Sequence, residues 1–260
     1  MIAVYSYKMR YKHYKPLNDE FVRLAKLSVI SAKKYYKTKF YCDSESLKFF
    51  SDNGIFFDEV VILNDTTNDY PTVFSISKIY AMMRETEPYI LLDFDVVLLE
   101  ELKPSNTITY GHPEIQINHK YIGLDTLLFT FDHYIKPFNE HIRKYFNNED
   151  LSKIDWLTYP SFCVVMVQNP ILISEIYKDI FNTLSKEDIA NIPTELLEQF
   201  LCHQKIVKHK AGFSFLSRDH YIIDDTQPFN KIEALSKKYL HLNINNKKIE
   251  EVLIYLESII

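Results

Sequence analysis

The sequence predicts an α/β fold: a mostly parallel central sheet with helices on both faces and a less regular C-terminal half. Three observations predict it. Through roughly the first 100 residues, short apolar runs alternate with longer amphipathic ones, the pattern of successive β-α units. Tyr89-Ile90-Leu91-Leu92 belongs to a continuous apolar run, as expected of a strand buried on both faces of a parallel sheet. That run carries Asp93-Phe94-Asp95, and the carboxyl ends of central parallel strands are where open α/β sheets bind ligands.

The elements follow in order. Ile2 to Tyr7 reads as the first strand, and Lys8 to Leu17 as a basic, tyrosine-rich loop. Asn18 or Asp19 can cap a helix whose Phe21, Leu24, Ala25, Ser28 and Ala32 form one stripe. Phe40-Tyr41-Cys42 is a short strand ending at Asp43, and a helix from Ser44 closes at Gly54. Glu59 to Leu63 gives a third strand, Asn64 to Thr72 a polar loop and Phe74 to Thr86 a helix. The aspartate-bearing run then reads as one strand from Tyr89 to Leu99, with Asp93 and Asp95 on one face and Phe94 on the other. Further on, Ser161 to Val167 reads as a strand, and Pro170 to Leu184, Thr194 to Lys208 and Lys231 to Lys238 as helices. The amphipathic tail from Lys247 to Ile260 is expected to dock on the outside. No repeat, low-complexity tract or linker divides residues 1–260, so one domain is expected, with a nucleotide-binding half over about 1–100 and an acceptor-side half over about 101–260.

Composition narrows the class. With 260 residues, 47% hydrophobic and 25% charged, the chain can bury a substantial core. A formal net charge of −5 argues against general nucleic-acid binding. Nineteen Tyr and eighteen Phe exceed what a core needs; platforms for sugar or base rings and an AT-rich coding bias explain the excess equally well. Cys42, Cys163 and Cys202 lie among apolar neighbours and read as buried free thiols in a reducing compartment. The N-terminus reads as a strand and no run reaches the length of a membrane span, so the expected location is the cytoplasm, bacterial or of a virus-infected cell.

Two carboxylates on one strand face repel and lose hydration, which a divalent cation relieves. Hard ions such as Mg²⁺ or Mn²⁺ accept carboxylate oxygen and share themselves with substrate phosphates. The plainer alternative is a strand that ends in solvent. In Pro193-Thr194-Glu195-Leu196-Leu197-Glu198-Gln199-Phe200, the leucines and Phe200 share one helix face and Glu195, Glu198 and Gln199 the other. A solvated face explains the same pattern. At the first strand, Tyr5, Ser6 and Tyr7 are candidates to stack on and hydrogen-bond a nucleobase, with core packing the competing role for Tyr5.

Four segments carry a resemblance to a known family. They are Leu27-Ser28-Val29 with Phe40-Tyr41-Cys42-Asp43, Lys78 within Ser77-Lys78-Ile79-Tyr80, Asp93-Phe94-Asp95, and Tyr239-Leu240-His241-Leu242-Asn243 with Lys247 and Lys248. Together they resemble glycosyltransferases of the Rossmann-like GT-A fold, of the glycogenin-like and related bacterial or viral type. The resemblance implies transfer of a sugar from a nucleotide-sugar, UDP-linked, to a glycan, protein or small-molecule acceptor. It implies Mn²⁺ or Mg²⁺ held by Asp93, Asp95 and a neutral His241, and Lys247 or Lys248 touching the diphosphate. Asp43 falls in the nucleotide-binding half, Lys78 where the family places a basic residue, and Glu198 or Glu195 where it places an acceptor-facing acid. The chemistry agrees with this, since a metal and a lysine would both stabilise a departing nucleoside diphosphate.

Two other readings compete. Ile90-Leu91-Leu92-Asp93-Phe94-Asp95-Val96-Val97 also resembles the first motif of haloacid-dehalogenase-type, Mg²⁺-dependent phosphatases, with Asp93 as nucleophile, Asp95 as acid/base and Asp224-Asp225 as a late metal motif. Against it, about three β-α units precede the motif, and Val96 to Leu99 stays apolar where a small residue and a turn are usual. The third reading is a non-catalytic carbohydrate-binding protein on the transferase fold.

Overall fold

The computed structural model describes residues 1–9, 18–63, 75–111, 160–184, 186, 189, 198, 201–216, 220–223 (backbone), 229–242 and 249–260. In chain order the elements are β1 (Ile2–Tyr7), α1 (Asp19–Lys33), β2 (Lys37–Cys42), α2 (Ser44–Asp52), β3 (Glu59–Ile62), α3 (Ile76–Arg84), β4 (Tyr89–Leu92), β5 (Val96–Leu98) and β6 (Ile108–Tyr110). There follow β7 (Val164–Val167), α4 (Pro170–Thr183), α5 (Leu201–Lys208), β8 (Phe213–Phe215), β9 (His220–Ile223), α6 (Lys231–Leu235), β10 (Tyr239–Leu242) and α7 (Ile249–Ile259).

Local chemistry sets the helix boundaries. Asn18 Oδ1 accepts the Phe21 N–H at 2.9 Å and so opens α1, with Asp19 and Glu20 favourably placed in its first turn. Asp43 opens α2 in the same way, accepting the Ser46 N–H at 2.7 Å. The chain leaves that helix through Gly54 at φ 72°, a left-handed conformation that glycine adopts without a Cβ penalty. Asn169 accepts the Leu172 N–H at 3.2 Å and Pro170 supplies the first turn of α4.

Seven strands form the main sheet in the order β3-β2-β1-β4-β7-β6-β8. All neighbours are parallel except at β7, which runs antiparallel to both β4 and β6. The mostly parallel α/β class expected from the sequence is therefore what forms. Strand order reverses between β1 and β4: the chain builds outward to β3 and then returns to the other side of β1. A reversal of this kind leaves a crevice at the carboxyl ends of the two strands.

Alternation along the strands sends side chains to two cores. Ala3, Tyr5, Ile90 and Leu92 pack with Ala25 and Val29 of α1 and Phe50 of α2. Val4, Tyr89 and Leu91 pack on the other face with Ile79 and Met82 of α3 and Ile173 and Tyr177 of α4. Helices thus cover both faces. Cys42, Cys163 and Cys202 are buried and form no disulfide among the described residues, and burial pushes the Cys42 and Cys202 thiols up to about 12.

The expected strand from Tyr89 to Leu99 is corrected. It breaks after Leu92: the Asp93 N–H still bonds the Cys163 carbonyl at 2.9 Å, in register with the Leu92–Val164 pair, but the Val96 N–H bonds back to the Asp93 carbonyl at 3.2 Å and turns the chain out of the ladder. Asp93 to Val96 is a tight turn, so strand alternation does not set the directions of the two aspartates. Beyond the turn, β5 enters a second sheet of order β5-β10-β9, antiparallel to β10, which runs parallel to β9. Val97, Leu240 and Leu242 of that sheet pack with Leu24 and Leu27 of α1 and Val252, Leu253 and Leu256 of α7. The C-terminal helix docks on the outside, as expected. Among the described residues no helix is long and apolar enough to cross a membrane.

Candidate active site at the Asp93–Asp95 turn

The turn sits at the carboxyl end of β4, beside the end of β1. Phe94 anchors it. Its ring is buried, stacked on Phe50 at 4.7 Å and on Tyr5 at 5.0 Å between centroids, with edges from Tyr7, Phe21 and Phe40. Each buried ring contributes a large apolar area and each pair a further fraction of about 1 kcal/mol. The central residue of the acidic motif is therefore an aromatic plug, and the aspartates on either side stay at the surface of the crevice.

On one side, Asp93 is tied to a buried cation. Lys78, carried by α3, places Nζ 2.8 Å from Asp93 Oδ1, 2.7 Å from Glu198 Oε1 and 3.2 Å from the Phe162 carbonyl. Burial works against each of these charges. It raises the Asp93 and Glu198 carboxyls above the ordinary range, a rise that Lys78 opposes. For Lys78 burial pulls down, but the two carboxylates outweigh it and hold the ammonium charged well above its ordinary value. Tyr177 of α4 donates to the Glu198 backbone carbonyl at 2.7 Å, which fixes Glu198 against that helix.

On the other side, Asp95 meets the far end of the chain. Pairing of β10 with β5 sets His241 opposite Val96, and the Leu242 N–H donates to the Asp95 carbonyl at 2.8 Å. His241 Nε2 lies 3.5 Å from Asp95 Oδ2. Burial lowers the imidazole pKa, but Cys163 and Asp95 outweigh it and raise it well above its ordinary value. Asp95 Oδ1 is buried with no hydrogen-bond partner among the described residues.

The chain as a whole is similar to solved structures at 11% identity. One is the apo form of mouse xyloside xylosyltransferase 1, with a TM-score of 0.48 over 94% of this chain and 98% of that one. Another is the glycosyltransferase GlyE of Streptococcus pneumoniae TIGR4, with a TM-score of 0.49 over 98% of this chain, which spans 60% of GlyE. No protein-family model and no curated protein matches the sequence.

A divalent ion was expected on Asp93, Asp95 and His241. Among the described residues no three His, Cys, Asp or Glu side chains form a preformed metal group, and Asp93 Oδ1 is paired with Lys78. The unpartnered Asp95 oxygen does fit an oxygen-preferring cation, and carboxylate with imidazole is a donor set that suits Mn²⁺ or Mg²⁺ on its oxygen side. Asp95 with His241 beside it would form the seat, and Asp93 would join on leaving Lys78.

Other expected residues fall elsewhere. Tyr5 is fully buried, stacked on Phe94, and its hydroxyl donates to the Ser28 carbonyl at 3.1 Å, so it is a core residue without a face for a base. Asp43 is likewise committed: Oδ1 caps α2, and Oδ2 accepts the Met9 N–H at 3.1 Å. Ser6 is partly exposed at the end of β1, pairing in register with Tyr41. Glu195, Lys247 and Lys248, and Asp224 and Asp225 of the phosphatase reading, lie outside the described residues. The Phe162 carbonyl, Cys163 and Ser28, whose hydroxyl lies 3.4 Å from the Asp93 carbonyl, were not singled out as site residues. A backbone carbonyl, a buried thiol and a hydroxyl on the apolar stripe of α1 leave no sequence pattern of their own.

Proposed function

We propose that this chain is a metal-dependent glycosyltransferase of the GT-A type, moving a sugar from a UDP-linked donor to a hydroxyl of a glycan, protein or small-molecule acceptor. One observation carries the reading: an acidic turn at the strand-order reversal, with His241 of β10 returned to Asp95 and Lys78 and Glu198 gathered at Asp93. A nucleotide-sugar needs this kind of site, with oxygen ligands for its counter-ion at one edge and buried polar groups for its sugar at the other.

Asp95 and Asp93 would hold Mn²⁺ or Mg²⁺, with His241 as a nitrogen ligand once its proton is lost. When bound, the ion neutralises the diphosphate and stabilises it as a leaving group. Glu198, held beside Asp93 through Lys78, is placed to accept a hydrogen bond or a proton from a sugar hydroxyl. Ser6, at the end of β1, is available to the nucleotide. Lys247 or Lys248 would supply a point charge to the phosphates.

A thermal-shift series tests the reading. UDP and UDP-sugars should raise the melting temperature only with Mn²⁺ or Mg²⁺, a ligand at 100 times its Kd adding about 2.7 kcal/mol. No shift with any nucleotide, together with hydrolysis of p-nitrophenyl phosphate and an aspartyl-phosphate on Asp93, would replace this reading by the phosphatase one.

A further inference from the structure

Lys78 Nζ is enclosed by three polar neighbours. An ammonium has three N–H donors and no acceptor. Its neighbours Asp93 Oδ1, Glu198 Oε1 and the Phe162 carbonyl, at 2.8, 2.7 and 3.2 Å, take up all of that capacity. The Lys78 side chain is 12% exposed and that of Glu198 4%, whereas that of Asp93 is 36% exposed. The cation thus stands behind the carboxylate that faces the crevice, on the side a solvent-borne ligand does not reach first.

The two aspartates are served unequally. Asp95 keeps one buried oxygen without a partner, whereas Asp93 Oδ1 is occupied by a fixed protein cation. We infer that Lys78 is an internal counter-cation of the donor site: it clamps Asp93 to Glu198 in the ligand-free protein and competes with a divalent ion for the charge of the Asp93 carboxylate. The inference rests on the metal-dependent reading above and adds the control on how tightly the site takes its metal. No covalent bond changes; one ionic contact replaces another. Two cations within a few ångströms of one carboxylate repel, so Lys78 lowers the affinity for free metal and keeps Asp93 and Glu198 in register until the metal arrives.

The test measures binding of Mn²⁺ alone, from the electron paramagnetic resonance signal of the free ion, so it does not depend on turnover. Lys78→Met combined with Glu198→Gln removes the cation without leaving a buried, unpaired Glu198 charge. A variant that keeps native near-ultraviolet circular dichroism should bind Mn²⁺ about tenfold more tightly than wild type or better, and Lys78→Arg should bind like wild type. Unchanged or weaker binding in the double variant overturns the inference and leaves the transferase reading standing. Should the double variant not fold, Glu198→Gln alone decides: Lys78 then serves Asp93 undivided, so tighter Mn²⁺ binding overturns the inference. Absence of Mn²⁺ binding in wild type and in every variant overturns the metal reading, and this inference with it.

Discussion

The sheet half that holds β1 to β4 and the small sheet of β5, β10 and β9 are built by different rules, and the active-site candidate lies where one passes into the other. In the first, β1, β2 and β3 are each followed by a helix and pair in sequence order, β1 with β2 and β2 with β3, before β4 returns to the free side of β1. In the second, the strands come from residues 96–98, 220–223 and 239–242, and its helical cover, α1 and α7, comes from both ends of the chain. Local periodicity organises the first. Long-range pairing organises the second, and it is this pairing that delivers His241 to Asp95.

The difference predicts where substitutions act. The largest effect is expected at Phe94, which holds the joint between the two sheets inside the aromatic core. Phe94→Ala should cost about 3–5 kcal/mol by denaturant unfolding and abolish the turn's ligand binding. A variant that loses stability yet still binds nucleotide would show that the turn is held by its backbone bonds instead. Next comes Gly111, where an added Cβ would lie 2.6 Å from the Tyr239 hydroxyl of β10 and 3.0 Å from Val164 Cβ of β7. Gly111→Ala should cost about 1–3 kcal/mol through overpacking. A neutral result would mean that the two sheets have more slack there than the contact implies.

Smaller effects sharpen the contrast. Arg23 of α1 holds Glu250 and Glu257 of α7 at 2.6 and 2.7 Å, but the pairs are solvent-exposed, so Arg23→Met should cost less than about 1 kcal/mol, and less still in high salt. The smallest lies in the parallel half. The Thr38 N–H holds the Asp58 carboxyl below its ordinary value, helped by the Thr38 hydroxyl and Lys33. A depressed carboxylate contributes stability above its unfolded pKa and loses it as pH falls through the folded value. Asp58→Asn should therefore flatten the acid limb of the stability profile below about pH 4 and leave the neutral region lowered by a small constant. An unchanged acid limb would show that other carboxylates dominate there.

The same division explains what could be read in advance. β1, α1, α2 and the start of α4 follow from apolar spacing and from Asn18, Gly54 and Pro170, because each signal sits next to the structure it makes. Lys78, Glu198, Asp93, Asp95 and His241 were legible as chemical candidates, and the structure brings them together in two groups. Their partnerships were not legible. That Lys78 sits between Asp93 and Glu198, and that His241 meets Asp95, depends on Glu198 reaching α3 and on β10 pairing with β5. The break at Asp93 was hidden for a related reason. Val96 to Leu98 is as apolar as Tyr89 to Leu92, and only its change of sheet, driven by the burial of Phe94, separates them. Tyr5 and Asp43 looked like ligand contacts by position and became core and cap because Ser28, Ser46 and Met9 claim their polar atoms.

The central claim is that the Asp93–Asp95 turn, completed from the second sheet, drives departure of a nucleoside diphosphate. Release of UDP from UDP-sugars, measured for wild type and for a folded Asp95→Asn variant with and without Mn²⁺, tests it most directly. The account predicts Mn²⁺-dependent release in wild type and a loss of about 10²-fold or more in Asp95→Asn. Equal Mn²⁺-dependent turnover in the two proteins would contradict it.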